Sequence, residues 1–238
     1  MNNDEPEHSE GGVPIQRYGA PDQSFAYAAG REETTAAIER HLTQHIATPT
    51  SVFHELASSL VHVDVYIIYP TPERNYFTLV TSGMSDLPMI VPPGLEDVQY
   101  AELLMALPPN WEFSEGTLED EVFSWPVRLL KYLARFPHLY QTWLGEGHTV
   151  PNGDPPEPLA PSTLLAGVIC APPLLYGPDF AQLTVNPDKT IHFLALVPLY
   201  AEEMDLKLAE GTDELLNRLD AHGVNELLDE QRVNVALL

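Results

Sequence analysis

Three short stretches carry residue types that could do chemistry. LVTSGMSDLPM (79–89) sets a serine and an aspartate just past an apolar run. A serine on a sharp turn after a strand is the arrangement of a nucleophile elbow, G-x-S-x-G. Here Leu87 stands in place of the second glycine, and Pro88 forbids the helix that would support the serine. No downstream acid–histidine pair has a local signature that completes a triad. Ser85 and Asp86 are therefore expected to bond nearby amides in a tight turn, with Gly83 supplying backbone freedom. A hydrolase using Ser85, Asp86 and His148 is the alternative. HLTQH (41–45) puts two histidines on one helix face, but Leu42 stands where a zincin needs its glutamate, so a surface pair is expected. GEGH (145–148) does not precede a helix as a phosphate cradle does, so it reads as a structural turn. There is no C-x-x-C pair and no nucleotide fingerprint. No catalytic, cofactor-binding or metal-binding residue is assigned, and no cofactor is expected.

The other chemistry is charge. Thirty-five Asp and Glu face eleven Lys and Arg, a formal net charge of -24. Such a surface repels phosphate backbones and anionic membranes, so neither nucleic acid nor a membrane is an expected partner. A dense negative field does speed and orient encounter with a basic protein. EFSEGTLEDE (112–121) holds five acids and no base, and residues 202–214 hold six more against Lys207. Each is a solvated face in the plain reading and a docking surface in the sharper one. The single cysteine, Cys170, lies in an apolar run and is expected to be inert core. The N-terminus has no basic and apolar leader, and no apolar run reaches 18 residues. A cytoplasmic protein is expected.

These residues need elements to position them. A chain of 238 residues can bury roughly 70% of its unfolded surface in one domain. Residues 1–30 are polar and expected to be partly disordered, with one domain over 31–238. REETTAAIERHLTQHI (31–46) has helical spacing, with acids in its first turn. Strands are expected over 51–56, 61–70, 76–82, 99–108, 163–171 and 190–200, the second and third as a hairpin. Between them, a helix is expected to start at Ser124–Trp125, with Ser124 as cap and Pro126 in its first turn. Val127, Leu130, Leu133 and Ala134 form its buried face, and Pro137 breaks it. Residues 145–162 read as a long loop. AEEMDLKLAEG is a helix ended by Gly211, and TDELLNRLDAHG a second one capped by Thr212. The tail reads as a short helix and then a strand. Hairpins mixed with helices predict an α+β fold with a mixed, mostly antiparallel sheet flanked by helices.

Several segments, in order over about residues 50–211, resemble the suppressor of fused domain. YFTLVTSGMSDLPM looks like its "SxGxSDL" strand and turn, and YAELLMALPPNW like its "ELxxxLP" strand. SWPVRLLKYLARF resembles its "WPxxLLxxLAR" helix, WLGEGHTV its "GH" loop and LLAGVICAPPL its "GVxx" strand. IHFLALVPLYAEEMDLKLAEG resembles its "FxxxxPLxxxEMxxxxxxG" ending. The resemblance is not expected to extend to the additional C-terminal domain of the larger members. The resemblance implies binding rather than catalysis: the metazoan relative grips a short extended peptide, partly by strand addition. Bacterial members are proposed as immunity proteins that neutralise toxins. The expected partner is a protein, such as a basic toxin or an extended peptide, and a general peptide-binding scaffold is the alternative. No oligomeric state is implied. The expected partner contacts are Asp86, Glu115, Glu119, Asp120, Glu121, His148, Glu202 and Glu203.

Overall fold

Alternation along the strands sets the layers. A computed structural model describes residues 7–19, 32–54, 61–113 and 120–238. In β4 (Asp64–Ile68), Val65 and Ile67 face one core while Tyr66 and Ile68 face another. The neighbouring β5 (Phe77–Ser82) and β6 (Ala101–Leu107) are buried at every position. Both sheet faces are therefore covered, which explains why these strands read as continuous apolar runs.

Eight strands form the main sheet. Its path runs β3 (Ser51–Phe53), β4, β5, β6, β10 (Lys189–Tyr200), β8 (Leu165–Ala171) and β7 (Thr149–Pro151), while β9 (Gln182–Asn186) pairs with the start of β10. Among the described strands only β6 and β10 pair in parallel, so the sheet is mixed and mostly antiparallel. The fold is α+β, as expected. Helix α1 (Glu32–His45) lays Ile38 and Leu42 against Tyr66, Leu104 and Phe193 on one face. Helix α2 (Glu121–Tyr140) lays Trp125, Leu130 and Leu133 against Ile67, Leu103 and Met105 on the other. Helices α3 (Ala201–Glu210) and α4 (Thr212–Ala221) cover Ile169, Val197 and Leu199 through Met204, Leu215 and Leu219.

The structure corrects several expectations. Helix α2 begins at Glu121, and its cap is Asp120, whose side chain accepts from the Val122 amide at 2.9 Å. Ser124 lies inside it. Pro126 and Pro137 are both helical, each costing one backbone bond but leaving the apolar face continuous. The helix ends three residues after Pro137, at Tyr140, and its cap Gln141 lies in the left-handed region. Thr212 is the first residue of α4, and Gly211 precedes it with φ 97°. The long loop contains β7, and the turn before β10 contains β9. Residues 7–19 include a short hairpin, β1 (Glu7–His8) and β2 (Pro14–Ile15), whose Gly11 amide bonds the Leu208 carbonyl at 2.8 Å.

The tail is neither helix nor regular strand. Leu227 bridges Ala106 in parallel, and a single 3-10 turn closes at Val235–Leu237. Side chains hold it instead. Arg232 reaches both oxygens of Glu203, at 2.5 and 2.6 Å, and the Pro198 carbonyl at 2.8 Å. Glu203 is fully buried and also accepts from the amides of Tyr200 and Val235. Removing one partner of a buried pair costs about 3–5 kcal/mol. Urea unfolding of Arg232→Met should show a loss of that size, and the Glu203→Leu/Arg232→Met double variant should lose less than the two single losses combined. Additive losses would mean the pair is not coupled.

Candidate functional site

The SGMSD turn is built around a carboxylate from the next strand. Glu102 lies in β6 amid apolar neighbours and is fully buried. One of its oxygens accepts from the Gly83 amide (2.9 Å), the Ser85 amide (3.0 Å) and the Ser85 hydroxyl (2.7 Å). The other accepts from the Thr81 hydroxyl at 2.6 Å. Gly83 has φ 129°, and a Cβ there would come within 1.9 Å of the His62 carbonyl oxygen. Conformation and close approach therefore both demand glycine. His138 of α2 meets the same turn through its Nε2 and the Met84 carbonyl, 2.9 Å apart, and burial pushes its pKa down.

Ser85 is completely buried, with its hydroxyl committed to Glu102, and Asp86 is 4% exposed. His148 lies elsewhere, edge-on to Trp143 with ring centroids 4.4 Å apart. Burial first, then the Lys207 charge, lowers its pKa. Lys207 reaches under this loop from α3, donating to the Gly147 carbonyl at 2.5 Å and the Thr149 hydroxyl at 3.2 Å. Desolvation lowers the pKa of this buried lysine to about 8. Cys170 is fully buried, and desolvation pushes its thiol up to about 12. His41 is not a surface residue: it is buried, stacked on Phe193 and Phe180, with Nε2 2.9 Å from the Phe180 carbonyl. Among the described residues, no group of three or more His, Cys, Asp or Glu side chains could hold a metal ion.

The acids expected to meet a partner separate by environment. Asp120 caps α2, and Glu121 is exposed, 3.7 Å from Arg128. Glu202 is exposed and accepts from Asn234 at 2.9 Å. Glu203 is sealed beneath Arg232. Glu115 and Glu119 lie outside the described residues. The C-terminal tail links the remaining acids, because Glu230 accepts from Trp125 of α2 while Asn234 and Arg232 meet α3. Sequence reasoning missed Glu102; its signal was one acid inside the apolar run YAELLMAL.

A mixed sheet covered on both faces, with buried glutamates bonded at its central turn and at α3, defines an α+β domain. The family model described as Suppressor of fused protein (SUFU) matches residues 59–233. The chain belongs to the suppressor of fused family. Solved structures share the fold. A suppressor of fused homologue from Neisseria gonorrhoeae is 17% identical with a TM-score of 0.65, over 86% of this chain and 98% of that one. The Sufu–Fu complex structure is 16% identical with a TM-score of 0.59, over 87% and 93%. Drosophila Suppressor of Fused is 16% identical with a TM-score of 0.60, over 92% of this chain but 52% of that one. This chain thus spans about half the length of the Drosophila protein. No curated protein matches. Among the described residues no helix is long and apolar enough to cross a membrane.

Two measurements test this geometry. Unsatisfied buried donors cost about 1–3 kcal/mol each. Glu102→Ala strands several and should cost more than Ser85→Ala, which removes one donor and should stay within that range. Equal losses would separate the turn from the carboxylate. For Lys207, the unfolded chain keeps its proton up to the ordinary lysine range while the folded chain sheds it near 8. In that window the unfolded state binds more protons, so stability rises with pH. Wild type should therefore gain on Lys207→Met between about pH 8 and pH 10. A constant difference in urea midpoints would show an ordinary lysine.

Proposed function

We propose that the chain is a non-enzymatic protein-binding module that neutralises a protein partner, in the manner of an immunity protein for a basic bacterial toxin. Membership of the suppressor of fused family carries the reading. One solved structure with this fold is described as the Sufu–Fu complex, which supports a protein as the kind of partner. The net charge of -24 supports a basic one, since opposite fields raise association rates at low salt. Against the hydrolase alternative stands Ser85, which is fully buried and bonded to Glu102. The exposed Asp120, Glu121 and Glu202 are the assigned contacts, joined by Glu115, Glu119 and the loop around His148. Asp86 and Glu203, expected alongside them as contacts, are both buried. The cytoplasm is the compartment we assign.

Co-expression with the product of the neighbouring gene tests the reading. The expected result is rescue of growth together with co-purification. The complex should also weaken as salt rises. Rescue without co-purification would exclude direct neutralisation, and turnover abolished by Ser85→Ala would replace binding with catalysis.

A further inference from the structure

Where β6 leaves the sheet, the chain, the first turn of α2 and the tail enclose a groove of about 620 Å³. Trp111, Val122, Phe123, Leu227 and Leu228 supply its apolar lining. Trp111 is locked in place: its Nε1 donates to the Phe123 carbonyl at 3.1 Å, and its ring meets Phe123 edge-on at 5.9 Å. Asp229 and Glu230 line the tail side. Glu230 accepts from Trp125 and Ser162, which fixes its carboxylate there. No lysine or arginine is among the lining residues. Asp120 and Glu121 immediately precede Val122 in the chain, so further acids stand beside the same opening.

We propose that this groove docks a short extended segment of a partner protein that carries arginine or lysine beside an apolar side chain. The volume suits a few residues of peptide rather than a large rigid surface. The fixed aromatic lining takes the apolar side chain or stacks a guanidinium, and the acids on the tail side pair with the basic one. The acids of the site are complementary in charge to that segment. The inference rests on the protein-binding reading and deepens it by naming a surface.

A random twelve-residue peptide library selected on the immobilised chain supplies the probe, and the most enriched peptide is then measured by calorimetry. The expected peptides carry net positive charge and at least one apolar residue. Their affinity should fall at least about tenfold in Val122→Arg and in Asp229→Arg, and should weaken with added salt. Both positions are at least partly exposed, and near-ultraviolet circular dichroism checks that each variant keeps its fold. Neutral or acidic peptides, no enrichment, or unchanged affinity in both folded variants would overturn the groove. Those outcomes leave co-purification with the neighbouring gene product free to succeed or fail by itself, so the two readings are judged apart.

Discussion

A carboxylate removed from water must be satisfied where it lies, and Glu102 imposes that requirement on the centre of this fold. An uncompensated buried charge costs several kcal/mol, comparable to much of a domain's net stability. Four donors meet it, and all come from one short stretch, Thr81 to Ser85. The stretch can present two amides to one oxygen only by turning sharply at Gly83, where the His62 carbonyl leaves no space for a side chain. The 3-10 turn over Met84–Asp86 is thus the shape that satisfies Glu102. His138 then ties α2 to the same turn. The β5–β6 pairing, the turn and the position of α2 all depend on one buried acid.

Glu203 repeats the device at the other end of the sheet. It anchors the start of α3, fixes the Tyr200 amide and captures Arg232, which brings the tail back over β10. Tyr200 lies under the guanidinium at 4.9 Å and donates its hydroxyl to the Arg232 carbonyl. The glutamates of the "ELxxxLP" and "EMxxxxxxG" patterns are therefore both fully buried. Both of these residues of the family resemblance hold the chain in its shape. Ser85, which invited a catalytic reading, belongs to the same class.

The elements were legible where a single physical signal dominated. β-branched runs marked β4 and β5, helical spacing marked α1, and apolar runs marked β6, β8 and β10. Where two signals competed, the local one misled. Pro126 and Pro137 argued for helix boundaries, yet the apolar face from Trp125 to Phe136 and the Asp120 cap hold α2 through both. His41 read as half of a surface pair because HLTQH lacks the glutamate of a zinc motif; Phe180 and Phe193, far along the chain, bury it. The acid cluster at 202–214 read as uniform, although Glu203 and Lys207 are inside and Glu202 is outside. Periodicity on α3 separates them, but only the tail supplies the arginine that makes burial of Glu203 tolerable. The tail itself carried little signal, because side-chain bonds rather than backbone ladders hold it.

Sealing the signature residues inside has a consequence for where binding can reside. Buried anchors cannot touch a partner, so discrimination must come from what the rigid frame displays. The charged groups are mostly carboxylates, and a field of one sign accelerates encounter without choosing among basic proteins. Choice needs shape and desolvated contact in addition. The proposed groove at the exit of β6 sets aromatic rings beside acids. The tail lining that groove is held by Glu203 on one side and by Trp125 on the other. The same buried acid that closes the fold thereby holds one wall of the groove proposed to dock a partner.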